Sequence, residues 1–337
     1  MQRKLRLVQI GLGPIGAKIC QLVLDKEGIE IVGACEKTNL GKDVGEIIDL
    51  GGRLNVMLVE DVNKALRAKP DIAIHSTVSS LIQTRDQLVP VIKAGVNVVS
   101  TCEELVYPWH KQSEIAKELD TLAKSNDVTL LGTGVNPGFC MDFFPIVMTG
   151  VCQDVEHIRV SRVQDARSRR LPFQKKIGAG CTINAFEELK ASEQIRHVGL
   201  QESADMIAAA MGWKIDEYIE SVIPIIADKE VSSEYLVIKA GQVAGVEQIA
   251  IGKLKGKEII KLEFRAYLGA PESYDAVYIA GTPNMEVVVK GGIQGDIATA
   301  SMVVNALPRV LAAHPGLLTM KDLPPVHPYH GDWSALL

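Results

Sequence analysis

Residues 8–16 read VQIGLGPIG, and this short stretch decides the fold. Val8, Gln9 and Ile10 close an apolar, strand-like run. Gly11, Gly13 and Gly16 then form a G-x-G-x-x-G turn that opens onto a helical pattern. The first glycine permits a tight turn, the second lets main chain approach a pyrophosphate, and the third lets helix and strand pack closely. Pro14 suits the first helical position, where its missing N–H has no intrahelical partner, and Ile15 follows it. Free N–H groups and the helix dipole at that point favour an anion. Glu36 lies twenty residues beyond Gly16, at the end of the next apolar run. A carboxylate there accepts hydrogen bonds from the adenosine ribose, so the expected cofactor is NAD(H). Lys37 beside it could meet a 2′-phosphate, which leaves NADP(H) open.

The surrounding pattern agrees with that turn. Short apolar runs at 5–10, 29–35, 56–59, 72–75, 96–100 and 128–131 alternate with helical stretches such as 15–25, 80–94 and 108–124. Strands alternating with helices imply βαβ units and a parallel sheet covered on both faces. From about residue 155 the rhythm changes to long runs joined by short turns, among them EHIRVSRVQD, SEYLVIKAGQVAGVEQIAIGKL, KEIIKLEFRAYLG and DAVYIAGTPNMEVVVKGG, with a helical section over about 184–211. The expected fold class is α/β: an N-terminal doubly wound Rossmann sheet with a C-terminal α+β domain on a largely antiparallel sheet. The expected boundaries are 1–134 for the dinucleotide-binding domain and 135–295 for a substrate and dimerisation domain. Residues 296–337 read as a helix and tail packing back on the first domain. The cleft between domains is the default ligand site.

Size and composition set the class. A chain of 337 residues exceeds the usual limit of one core, so two domains are expected. A formal charge of -5 argues against nucleic acid, which needs a basic face. No run of about 18 apolar residues is present, and the basic start MQRK leads into a strand rather than a cleavable signal. The six cysteines are scattered without a CxxC pair, which reads as reduced thiols in a cytoplasmic protein with no metal site.

In a doubly wound sheet, ligands bind beyond the carboxyl ends of the strands. HSTVSS, residues 75–80, follows the fourth run, and its small Ser76, Thr77 and Val78 let the chain pass close to a ribose. STCEEL follows the fifth run, with Thr101 and the adjacent acids Glu103 and Glu104, and GTGVNPGF follows the sixth, with Asn136. A carboxylate at the nicotinamide rim suits an amine substrate. It can hold an ammonium, accept its proton, and face the iminium that forms as hydride leaves.

GLGPIG, STCEELVYP, GTGVNPGF, RRLPFQKKIGAG and GDIATASMVVNALPRVL together resemble the 2,4-diaminopentanoate dehydrogenase-like proteins over nearly the whole chain. The resemblance implies an NAD(P)-dependent amine dehydrogenase with a dihydrodipicolinate reductase-like fold, a small amine or ketone substrate with ammonia, and a homodimer. It also implies a catalytic glutamate after the fifth strand, taken as Glu104 with Glu103 the alternative, since strand parity does not separate neighbours. The paired histidines and lysine of true dihydrodipicolinate reductase have no counterpart in HIRVSRVQDARSRRLP.

Other candidates carry competing readings. Arg162 is placed to grip a substrate carboxylate, against the commoner reading of its basic run as a solvated face. Asn136 can reach substrate or the nicotinamide carboxamide. Phe139, Met141 and Phe173 can line an apolar wall or belong to the core, and His197 can face a pocket or be satisfied structurally. Cys102, without a partnering base, is a poor nucleophile. Two rival functions remain: a dehydrogenase of a non-amine small molecule, and a dinucleotide-binding protein without chemistry.

Overall fold

The structure, a computed structural model, describes residues 3–337. In chain order the elements are β1 (Leu5–Ile10), α1 (Pro14–Leu24), β2 (Ile29–Cys35), α2 (Val44–Ile47), β3 (Leu58–Val59), α3 (Val62–Leu66), β4 (Ile72–His75), α4 (Leu81–Lys93), β5 (Asn97–Ser100), α5 (Ser113–Ser125) and β6 (Thr129–Gly132). There follow α6 (Phe143–Thr149), β7 (Asp154–Asp165), α7 (Leu171–Lys176), α8 (Ile183–Ala191), α9 (Leu200–Met211), β8 (Glu217–Ile226), β9 (Val231–Ser232) and β10 (Val237–Ile238). The chain ends with β11 (Val243–Leu254), β12 (Lys257–Tyr267), β13 (Tyr274–Thr282), β14 (Met285–Lys290), α10 (Gly295–Leu311) and β15 (Gly316–Leu318). Two compact units result: Met1–Phe139 with Gln294–Leu337, and Cys140–Ile293.

The first unit holds a seven-stranded, all-parallel sheet in the order β15-β6-β5-β4-β1-β2-β3. The chain leaves β1 toward β2 and β3, then returns to the other side of β1 and continues through β4, β5 and β6. Right-handed crossovers therefore put α1 on one face and α3, α4 and α5 on the other. Val8, Ile10, Ala73, Val98 and Leu130 bury one face against Leu88, Val91, Ile92, Leu119 and Ala123. On the other side α10 packs against α1 and across β4, β5 and β6. The strand order reverses between β1 and β4, which is where a doubly wound sheet opens its ligand crevice.

The second unit holds a six-stranded mixed sheet, β14-β13-β7-β12-β11-β8, in which only the β7–β12 pair is parallel. Helix α9 covers one face at β11 and β12. Residues on that face, such as Val246, Ala250, Leu262 and Phe264, are buried. The opposite face carries Ile219, Ile223, Ile249 and Ile251 along β8 and β11, with Glu247–Arg265 and Lys261–Glu263 pairs in the middle.

Several elements differ from the sequence reading. Strand β8 went unread, because Glu217, Glu220 and Pro224 break its apolar pattern; as an edge strand it tolerates all three. The helical section near 184–211 is two helices, parted by a loop in which Gly199 adopts φ 115°. Helix α5 starts at Ser113 rather than Pro108, since Gln112 is non-helical at φ -129°, ψ 45°.

Asp43 shows how a buried acid holds a loop. Its carboxylate accepts from the main-chain N–H groups of Gly45, Leu54 and Val56 at 2.9, 2.7 and 3.0 Å. Burial by itself raises this carboxyl, but the three donors and nearby Arg53 outweigh it and hold Asp43 below the usual carboxylate range. A depressed carboxyl stabilises the fold above the unfolded value near about pH 4, and that contribution fades as pH falls through the lower folded value. Asp43→Asn is expected to lower the denaturant midpoint at pH 7, and its deficit against the parent chain to shrink below about pH 4. Urea titrations at both pH values check this.

Candidate active site

The glycine turn is built against the end of β4. Gln9, fully buried, donates through Nε2 to the Gly11 carbonyl and to Ser76 Oγ, both at 2.8 Å, and Ser76 Oγ donates to the same carbonyl at 3.0 Å. Gly11 has φ +85°, and a Cβ there would stand 2.3 Å from the Ser76 carbonyl oxygen. A Cβ on Gly16 would stand 2.2 Å from the Gly11 oxygen. These two glycines are required by the protein itself. Gly13 is different: it is exposed, its φ of -67° suits any residue, and a Cβ there would meet nothing within 4 Å.

Gly13 also caps α1, with Pro14 at the first helical position, no side-chain cap and no acid in the first turn. The helix thus presents its positive end uncompensated, over a cradle whose open position lacks a side chain. Glu36 leans into the same loop: its Oε2 accepts from Leu12 N–H and its Oε1 from Lys37 N–H, each at 2.6 Å. Lys37 itself is exposed, Ile15 half-buried, and Thr77 and Val78 exposed along the β4 rim. These residues fit a dinucleotide, with the pyrophosphate against 11–16 and the adenosine ribose at Glu36.

Next along the rim, a hydrogen-bond chain ties the ends of β4 and β5. His75 Nε2 lies 3.1 Å from Gln87 Oε1, an acceptor, which makes Nε2 the protonated nitrogen; Thr77 Oγ1 is also near, at 3.0 Å. His75 Nδ1 then accepts from Ser100 Oγ at 2.9 Å, and Ser100 Oγ accepts from Cys102 N–H at 3.1 Å. Burial pushes the His75 imidazole down to about 4, so it stays neutral. Half-buried Thr101 donates its N–H to the His75 carbonyl at 2.9 Å. Burial raises the Cys102 thiol to about 12, which removes it as a nucleophile. His75 and Ser100 carried no sequence signal as site residues, because each looks like any other end of an apolar run.

Glu103 and Glu104 open a single 3-10 turn, Glu103–Leu105. Glu103 is half-buried; Glu104 is 9% exposed. Glu104 Oε2 accepts from Leu81 N–H at 2.8 Å and closely from Gln112 Nε2, while Lys111 Nζ stands 3.8 Å from Oε1. Leu81 is the first residue of α4, whose N-cap Ser80 makes no side-chain cap bond, so Glu104 supplies it. Beyond β6, Asn136 has both carboxamide atoms shielded from solvent and without a hydrogen-bond partner, as is Thr133 Oγ1. Buried groups of this kind are costly and are found where a ligand supplies the partner. Phe139 is half-buried at the end of this segment.

Within the second unit the arginine expectation needs correction. Arg162, 2% exposed, is already engaged: Nη1 reaches Asp275 Oδ1 at 2.5 Å and Cys140 Sγ at 3.2 Å, and Nη2 donates to the Ile293 carbonyl at 2.8 Å. Its guanidinium holds the interior together rather than offering an open fork. Met141 is fully buried, and Phe173 lies under the Arg169 guanidinium, 4.0 Å from its ring centre. His197 stacks on Phe264 with centroids 4.6 Å apart and a shielded, unpartnered Nε2. Burial, helped by Lys176 and Arg162, drives its imidazole down to about 3. Among the described residues no cluster of three or more His, Cys, Asp or Glu could hold a metal ion.

The two kinds of glycine separate fold from function. Gly13→Ala is expected to leave the melting temperature unchanged and weaken NADH binding by about tenfold or more, 1.4 kcal/mol. Gly16→Ala is expected to lower the melting temperature outright. Calorimetry with NADH fluorescence titration checks both.

Comparison with known proteins gives the family. Residues 139–337 match the family described as 2,4-diaminopentanoate dehydrogenase C-terminal domain, and residues 5–129 match dihydrodipicolinate reductase, N-terminus. The chain is 35% identical to 2,4-diaminopentanoate dehydrogenase of Acetoanaerobium sticklandii, over 99% of this chain and 97% of that one. It is 23% identical to an amine dehydrogenase of Streptomyces virginiae, over 85% and 86%. The solved amine dehydrogenase of Mycobacterium smegmatis superposes with a TM-score of 0.84 at 26% identity, covering 96% of this chain and 97% of that one. The chain belongs to the 2,4-diaminopentanoate dehydrogenase family, NAD(P)-dependent oxidoreductases that act on CH–NH2 donors.

Proposed function

We propose that this protein catalyses the reversible oxidative deamination of a small amine, of the 2,4-diaminopentanoate type or simpler, to a ketone and ammonia, with Glu104 handling the nitrogen. The observation that carries this reading is a carboxylate at the β5 rim with one oxygen anchored by Leu81 N–H and Gln112 and the other turned only toward Lys111. An anchored acid is oriented before substrate arrives, which is the condition for effective proton transfer.

When bound, NAD(P)+ supplies the hydride acceptor. The chain supplies the rest. Glu104 pairs with the substrate ammonium and takes one proton, freeing the nitrogen lone pair. As the C–H electron pair departs, a C=N bond forms, and the same carboxylate faces the resulting iminium. Water then adds to the iminium carbon and ammonia leaves, so the protonated amine, oxidised cofactor and water become ketone, ammonium, reduced cofactor and a proton. Glu103, Ser76, Thr77, Val78 and Thr101 form the surrounding rim. The unpartnered Asn136 carboxamide suits reciprocal bonds to the nicotinamide amide. This reading gives Phe139 of the first unit, and Phe173 and His197 of the second, separately to apolar contact with substrate, while Met141, fully buried, belongs to the core. The first unit is the dinucleotide-binding module and the second carries substrate recognition and dimerisation. The open face of its sheet pairs two copies about a twofold axis, with the isoleucines of β8 and β11 and the mixed charges beside them forming a self-complementary surface. Among the described residues no helix is long and apolar enough to cross a membrane.

Reductive amination provides the test: NADH or NADPH consumption with a ketone panel, with and without ammonium. Turnover strictly dependent on ammonium is expected, with Glu104→Gln losing about a hundredfold or more in kcat while still binding NADH. Ketone reduction without ammonium would favour the non-amine dehydrogenase instead. For the dimer, light scattering after gel filtration is expected to give twice the chain mass, and Ile249→Arg to give one chain.

A further inference from the structure

A glutamate side chain has three rotatable bonds, and at a solvated rim it would sample many orientations. Glu104 does not, and two donors explain why. The Leu81 N–H is fixed as the first residue of α4, and Gln112 stands immediately before α5. Both point at the same oxygen, Oε2, so Glu104 bridges the starts of two neighbouring helices. Gln112 makes this bond at a cost: its own Oε1 is shielded from solvent and has no donor. The carboxylate, an acceptor only, fixes which end of the amide faces it. Because the amide is neutral, it orients Glu104 without cancelling the charge that attracts an ammonium.

We propose that Gln112 is a positioning residue for the reaction: its Nε2–H locks Glu104 Oε2 against Leu81 and thereby presents Oε1 to the substrate nitrogen. This rests on the assignment of the reacting acid to Glu104. Titratable groups near that carboxylate include Glu103 and the Cys102 thiol on its own turn and Lys111 beside Gln112. Lys111, an exposed residue, stands on the Oε1 side, where an incoming ammonium takes its place.

Loss of the Gln112 donor lets the carboxylate swing, so kcat is expected to fall on the order of ten- to a hundredfold, while affinity for NADH is unchanged. A merely structural glutamine would leave kcat unchanged in any variant that keeps the parental melting temperature. The experiment follows NADH oxidation by the full chain with ammonium and the ketone of the panel that gives ammonium-dependent turnover, for Gln112→Leu and Gln112→Met, reading kcat and NADH affinity separately. The second variant covers the case in which the first fails to fold, and it too lacks the donor. Both variants are expected to bind NADH like the parent and lose kcat. Parental kcat in either folded variant overturns the proposal. Glu104→Gln in parallel separates the two readings: an inactive Glu104→Gln beside an unaffected Gln112→Leu sinks the positioning role alone. A fully active Glu104→Gln sinks the assignment on which it rests.

Discussion

The closeness of β1 and β4 at their carboxyl ends is the constraint on which the first unit depends. The Gly11 carbonyl accepts from both Gln9 and Ser76, and neither Gly11 nor Gly16 can carry a Cβ without striking main chain. This junction lies where the strand order reverses, so the same packing that closes the sheet also exposes the first N–H groups of α1. Only Gly13 is free of that constraint, and its bareness has meaning only toward something that binds.

From that junction a continuous set of polar contacts runs along the rim. Ser76 belongs to the glycine turn; its neighbour His75 reaches Ser100, and Ser100 holds Cys102 N–H. Glu104 N–H then returns to the Ser79 carbonyl at 3.2 Å, and its carboxylate reaches Leu81 and Gln112. The position of the Glu104 carboxylate is thus set by the loop after β4 as much as by its own strand. A neutral His75 is required for this arrangement, because a protonated ring could no longer accept from Ser100.

The second unit is organised by a buried ion pair rather than by glycine geometry. Arg162 and Asp275 are 2% exposed each, and the pair is completed by the Ile293 carbonyl and by the Ile293 N–H, which donates to Asp275 at 2.7 Å. A pair so enclosed survives only if its remaining donors and acceptors are met, and losing one partner costs about 3–5 kcal/mol. An arginine whose place in a strand suggested a substrate clamp, in a run that otherwise read as a solvated face, is instead part of the framework.

The glycine turn, the β/α alternation and the place of Glu36 just after β2 were legible in the sequence because each is a local requirement: a tight turn, a covered strand, and the polar residue that follows it. Six strands of the first sheet could be read to within a residue or two at each end, and so could the rim on which Glu103 and Glu104 lie. Strand β8 was hidden because an edge position relaxes the apolar pattern that reveals a strand, and β15 because its three residues, buried though they are, are too few to show a period. The roles of Gln112, His75 and Asp275 were hidden for a different reason: each acts through a partner 8, 25 or 113 residues away, and no periodicity records such a distance. The sequence by itself determined the cofactor turn and that an acid would stand near it. Which oxygen of Glu104 is held, and that Arg162 faces Asp275, was decided by tertiary structure alone, because hydrogen bonds between remote side chains exist only once the strands that carry them are side by side.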